Sequence, residues 1–520
     1  MFTLLSWMRR ASALLAIGGL CLAGCRAEEP APPPSPTTTD TRGDWEDTGR
    51  YATCGLPPGG AACGDFESFN LEGCDRASLG GLPRDGVFTL VYRSDARTTS
   101  IDPDAFRVSA DGVLDAYQGM TPTQRRVDAE SFFLSSATSS RRDSLVGCRA
   151  EGNRLYGCFV RCLSGRLSSS GTFLAVKWER RAGEEEAAGL RLVSESFVEQ
   201  GLPVDVYVTQ GHAYVVSVRN GGEGGGLTVF DVSDKKAPVL KKTITLPTDN
   251  YWNGVWAKDN ALYVASASSG VVVFDISKPE EPRMLRSYPG GRIDVHTVFV
   301  EGDRLYAMSP DAQPQTFIYD ISMPTAPVLL GGYAEPGATT NAQLGYPHDA
   351  LAYEGRLYIN HWSGGYFIVD VSDPTQPRKL STYTYPYATS HANAVGRFGE
   401  RLIAFEGGEN WGAHLRVLDV TDPTSPRRIG EYELEENASI HNMVLKGEKL
   451  YVAHYQHGVR VLDVSEPEKP RQVGYYNTYR ETDAGRGESF YEGAIGMRVP
   501  GDGYLYVIDT SRGLLILQEG

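Results

Sequence analysis

Cysteine runs out at Cys162, so the long remainder of the chain must hold together without disulfides. Long apolar runs are scarce as well. The stretch ASALLAIGGLCLAG at 11–24 is about 14 residues, short of the roughly 20 that an ordinary spanning helix needs. Positive charge is in deficit: 50 Lys and Arg against 65 Asp and Glu leave a formal net charge of −15. No basic stripe with interleaved aromatics offsets it, which argues against nucleic acid as a partner. Helical apolar periodicity is sparse, whereas Gly (58), Pro (30) and Tyr (28) are plentiful, and this combination points to an all-β protein. The usual catalytic signatures are missing too. There is no HExxH, no Gly-x-Ser-x-Gly, no phosphate loop and no dinucleotide fingerprint, so no reaction can be read from motifs.

What the chain does have is a repeated phrase. DVSDPTQP begins at Asp370, and its relatives are DISKPEEP from Asp275, DISMPTAP from Asp320, DVTDPTSP from Asp419 and DVSEPEKP from Asp463. A degenerate first copy, DVSDKKAP, starts at Asp231. Each copy follows a short apolar run and precedes another short strand. Asp and Ser/Thr side chains satisfy turn N–H groups, and proline fixes φ where no ladder donor is needed. The spacing of about 44 to 50 residues is that of a four-stranded propeller blade. Written out, a unit is strand A, a Gly turn, strand B, a loop, strand C, the Asp-Pro turn and strand D. The terminal GYLYVIDTSRGLLILQ supplies A, B and C of a seventh unit. LRLVSESF at 190–197 is the expected fourth strand, closing the ring and removing an exposed edge. The fold class is therefore a seven-bladed β-propeller over 190–520, preceded by a small disulfide-bonded β domain.

The phrase, with LYV and G-x-x-V before it, resembles the LVIVD-repeat proteins of bacterial surfaces. That resemblance implies an extracytoplasmic propeller and transfers no activity residue by residue. Lys235 and Lys236 in the first copy, and Gln518 in the last, depart from the pattern.

Residues 1–24 have the parts of an export signal, with Arg9 and Arg10 ahead of the apolar stretch. Leu22-Ala23-Gly24-Cys25 resembles the lipobox of bacterial lipoproteins, which implies lipidation at Cys25. Arg26 in place of Asp favours the outer membrane by analogy. The expectation is a lipid-anchored protein of the bacterial cell envelope, periplasmic or surface-exposed, with the membrane as a partner. Residues 25–50 then read as a Pro/Thr-rich tether, and 51–183 as the Cys-rich β domain. Its cysteines, Cys54, Cys63, Cys74, Cys148, Cys158 and Cys162, form a disulfide framework whose pairing spacing cannot decide. A metal site at Cys158 and Cys162 is the rival reading.

The longest insertions in the repeats, at 219–226, 335–346, 406–414 and 477–491, all fall in D–A or B–C positions and so crowd one face. Trp252, Trp362, Trp411 and Tyr455 lie in or beside such loops, and Glu406 lies at the end of a strand B. They are candidates for binding a protein, peptide or glycan. His296, His348, His391 and His441 recur at the start of strand A, while His361 and His454 sit at the end of strand B. The two in each of the pairs His348/His361 and His441/His454 lie symmetrically about a hairpin turn, which predicts cross-strand neighbours on one face. These six are candidate ligands for Zn, Cu or Ni at the channel mouth. The alternative to a binding module is thus a metal-binding protein or metalloenzyme.

Overall fold

The computed structural model describes residues 35–56, 63–96, 103–109, 114–117, 121–338, 344–480 and 489–520. The leader 1–24, Cys25 and the tether up to residue 34 lie outside the described residues, as do parts of the 335–346 and 477–491 loops.

Seven four-stranded antiparallel blades form the propeller. Blades 1 to 6 span Leu202–Ile244, Trp252–Tyr288, Thr297–Tyr333, Asp349–Thr384, Ser390–Tyr432 and Met443–Tyr476. Blade 7 takes Ala494–Arg498, Tyr504–Asp509 and Gly513–Glu519 from the end of the chain, and Leu190–Ser196 from before blade 1. Leu190 pairs with Glu519 and Ser196 with Leu514, so the ring closes through the strand expected from the sequence.

The repeated phrase forms the C–D turn. Asp275, Asp370 and Asp463 each accept the N–H of the residue two on, Ser277, Ser372 and Ser465, at 2.9–3.0 Å, and each also accepts that serine's hydroxyl. Its proline carbonyl serves the neighbouring blade. Tyr214 of blade 1 donates to Pro279 O at 3.0 Å, and Tyr263 of blade 2 donates to Pro324 O at 2.7 Å. One phrase therefore makes the turn and ties blade to blade. Strands B and C are buried almost throughout, as in HAYVVSV at 212–218, while strand D of blade 1, VLKKTI, faces water.

The first domain is one antiparallel sheet of eight strands, centred on Gly86–Ser94, Arg166–Lys177, Arg154–Leu163 and Arg141–Glu151. One face buries Phe88, Phe106, Leu145 and Phe173. On the other, Cys54–Cys158, Cys63–Cys162 and Cys74–Cys148 bridges pin the preceding loops. Cys158 and Cys162 are both spent in bridges, so the rival metal reading has no thiolate there.

Residues 35–50 lie against the propeller. Thr37–Thr39 adds a parallel fifth strand to blade 4. Further on, Asp44 is buried beside Arg416, 2.8 Å from its guanidinium. A Cβ at Gly408 would lie 2.5 Å from the Asp44 carboxylate, so this strap fits only over glycine.

Candidate functional site at the channel mouth

Strand A of each blade lines the central channel, and the D–A loops before it set its upper mouth. Four consecutive blades, 3 to 6, place a histidine there. Ring centroids of His296 and His348 are 4.2 Å apart, those of His348 and His391 4.2 Å, and those of His391 and His441 4.4 Å. The in-phase histidines thus make a continuous arc.

Glu409, from the B–C loop of blade 5, reaches into the arc. Its Oε2 lies 3.4 Å from His391 Nε2, and its Oε1 lies 3.9 Å from His441 Nε2. Tyr455 donates its hydroxyl to the same carboxylate. The opposite nitrogens are held by main chain: His391 Nδ1 lies 3.2 Å from His441 O, and His441 Nδ1 lies 2.7 Å from Ile495 O. A carbonyl there fixes the N–H on Nδ1 and leaves the Nε2 lone pair facing Glu409. His348 Nδ1 and His391 Nε2 are buried with no hydrogen-bond partner among the described residues. Ligating atoms of His348, His391 and Glu409 all lie within 4.8 Å of one another.

Burial sets the charge state of this cluster. It pushes His441 down to about 3 and His296 to about 4, and holds His348 and His391 well below the usual imidazole range. Burial also raises Glu409 to about 7, against the hydrogen bond from Tyr455. The imidazoles are neutral, as metal ligands must be.

Other sequence candidates go elsewhere. His361 stacks on Phe367 at 4.4 Å with Nδ1 2.8 Å from Leu344 O, and His454 Nδ1 lies 3.1 Å from Ser439 O. The backbone turns after each: His361 N–H bonds to Gly365 O, His454 N–H to Gly458 O, and Trp362 and Tyr455 take positive φ. The next side chain, rather than the histidine, is thereby presented to the mouth. Trp362 stacks on His348 at 5.0 Å and on Tyr346 at 5.8 Å, and Tyr455 meets His441 edge-on at 5.2 Å. Left-handed backbone at bulky residues is costly, and here both cases abut the histidine arc. Trp252 is fully buried against Phe274 in the core of blades 1 and 2. Glu406 is fully buried near Arg416, accepts from Tyr385 OH at 3.1 Å, and supports the strap.

Trp411 reveals what covers part of the loop-rich face. It stacks with Phe490 and packs with Val91 and Val176 of the first domain. Trp178 meets Tyr479 at 5.0 Å, Arg181 pairs with Glu435 at 2.7 Å, and Arg154 pairs with Glu436. The chain's own Cys-rich domain therefore occupies the loops of blades 5 to 7. Tyr251, Tyr346 and Trp362, on blades 2 to 4, remain at least partly exposed. Sequence phase found the histidines but missed Glu409, which sits in a loop insertion with no positional counterpart in other blades.

Four segments, 201–245, 251–289, 345–384 and 439–478, match the LVIVD repeat, so the propeller is an LVIVD-repeat domain. The matches fall on blades 1, 2, 4 and 6. No curated protein matches the chain. Among solved structures, the computationally designed Ika8 protein is 9% identical with a TM-score of 0.42, covering 74% of this chain and 95% of its own. The WD40 β-propeller domain of Doa1 is 12% identical (TM-score 0.46, 64% of this chain, 98% of its own). U3-55K is 9% identical (TM-score 0.48, 64% and 98%).

Proposed function

We propose that this chain is a lipid-anchored, extracytoplasmic binding protein of the bacterial cell envelope, whose propeller takes its ligand at the channel mouth. The observation that carries the reading is the meeting of Trp362 and Tyr346 with the His348–His391 pair and Glu409. Aromatic faces beside buried polar groups suit a peptide or glycan. The leader 1–24 with Cys25 directly after it, and the three bridges, support export and anchoring. Screening peptide and glycan arrays tests the binding reading. A ligand found there is expected to lose at least tenfold in affinity on Trp362→Ala, and an unchanged affinity would place its site elsewhere. Cys25→Ser is expected to move the protein from the membrane to the soluble exported fraction.

A second reading is favoured by the unpartnered imidazole nitrogens. His348, His391 and Glu409, with His441 beside them, offer nitrogen and carboxylate donors suited to Zn, Cu or Ni. The bound ion would act as a Lewis acid at the mouth. Metal content and melting temperature, compared between the parent and a His348→Ala, His441→Ala double variant, test this. A metal-free parent whose melt ignores all three ions would leave the histidines structural.

A further inference from the structure

Below the histidines the channel changes character. Tyr207, Trp256 and Phe299, from strand A of blades 1, 2 and 3, form an unbroken aromatic wall, with centroids 5.3 Å and 4.6 Å apart. Leu351, Val395 and Leu445 of blades 4 to 6 line the same cavity, which reaches up to His348, His391 and His441 and has a volume of about 510 Å³ in all, within the range of small-molecule sites. Asp205, Asp349 and Arg498 also line it, as does the solvent-exposed Lys446. Arg498 is largely engaged by protein. It donates to Val255 O at 3.2 Å and Met497 O at 3.1 Å, pairs with Asp205 Oδ2 at 3.4 Å, and lies 4.5 Å over the Trp256 ring, with Nε alone unpaired. The acceptors are not so well met. Asp205 is 7% exposed, and its Oδ1 has no partner among the described residues, although its Oδ2 also accepts Val255 N–H at 3.1 Å. Asp349 accepts the adjacent Ala350 N–H at 2.9 Å, and no salt bridge pairs it among the described residues.

Burial raises Asp349 to about 7 and lifts Asp205 as well. Above that pH the two carboxylates share the Arg498 guanidinium, since Lys446, the other cation of the lining, is exposed to solvent; the unpartnered Asp205 Oδ1 then sits in an apolar-walled cavity, where an unmet charge is costly. We propose that the far half of the channel binds an organic monocation, a primary ammonium or amidinium on a small apolar body. The cation would meet Asp205 and Asp349, and the body would lie on the Tyr207–Trp256–Phe299 wall. An aromatic wall beside carboxylates favours an organic cation over a metal ion, because a hard divalent ion asks for a shell of oxygens and gains nothing from rings. This site does not depend on the reading of the channel mouth.

The test is calorimetry and thermal shift on the full chain at pH 8 with EDTA present. Benzylamine and benzamidine are the probes, benzyl alcohol and phenylacetate the controls, and calcium without EDTA a separate arm. One of the two cations is expected to bind and raise the melting temperature while both controls leave it unmoved. Asp349→Asn is expected to weaken that binding at least tenfold. Phe299→Leu, which keeps the fold of the wall, is expected to weaken it several-fold. No shift with either cation, an equal shift with benzyl alcohol, a shift with calcium alone, or undiminished binding in Asp349→Asn would each overturn the proposal.

Discussion

Asp44→Ala should cost far more than its place in a Pro/Thr-rich segment suggests. Asp44 is 1% exposed and Arg416 is not exposed at all, and they meet at 2.8 Å. The guanidinium also lies 3.4 Å over the Tyr385 ring, and its Nη1 is 3.8 Å from the Glu406 carboxylate. Removing Asp44 leaves a buried cation with one distant carboxylate, a change that typically costs about 3–5 kcal/mol. If residues 35–520 unfold together, at about 2 cal/mol/K per residue, that corresponds to a fall of about 3–5 °C in melting temperature. Differential scanning calorimetry reads this directly, and trypsin should then cut at Arg42, whose pairing with Glu431 and Glu433 depends on a docked strap. The paired variant Asp44→Ala, Arg416→Met should recover part of the loss, because it leaves no unpaired buried cation. A single variant melting within 1 °C of the parent, or a double variant worse than the sum of its parts, would refute the reasoning.

Ring closure can be tested by comparing chains that begin at residues 186 and 200. The shorter one lacks the partner of Gly513–Glu519 and exposes an edge, so it should aggregate or melt at least about 5 °C lower; equal stability would count against closure. Acid should destabilise the protein through His361, His414 and His457, which burial pushes to about 4, 3 and 3. The unfolded chain takes up protons on these groups below about pH 6.5 while the folded one does not. Stability should therefore fall from about pH 6.5 towards 4, by about 1.4 kcal/mol per pH unit for each histidine. Glu406, Glu409 and Asp349, which burial raises to about 7, and Asp294, raised to about 6, work the other way as pH falls, but they are outnumbered by the eight histidines that burial lowers. A urea midpoint flat between pH 6.5 and 4.5 would contradict this.

The architecture was legible because it is written in repeats. Asp370, Ser372 and their counterparts make the same local turn in each blade, so a phrase seen six times carries the count, and the leftover strand at 190–197 carries the closure. The histidine arc was legible for the same reason, since His296, His348, His391 and His441 hold one place in the unit. The hairpin symmetry of His361 and His454 misled, because side-chain direction depends on the backbone just past the ladder. At Trp362 and Tyr455 that backbone turns left-handed. Nothing local marks Asp44 as buried or Trp411 as covered. Both depend on contacts with residues hundreds of positions away, and a loop insertion looks the same whether a partner or the chain's own domain packs on it. Tyr207, Trp256 and Phe299 sit among strand residues with ordinary alternation, so only the closed ring shows that they share a wall.

The most direct test of the channel mouth as a metal-holding centre is a cobalt(II) titration of the chelator-treated protein, followed by visible absorption. The arrangement of His348, His391 and Glu409 predicts intense ligand-field bands that saturate at one equivalent, are displaced by zinc, and vanish in His391→Ala. A spectrum no different from aqueous cobalt, or one unchanged by His391→Ala, would contradict it.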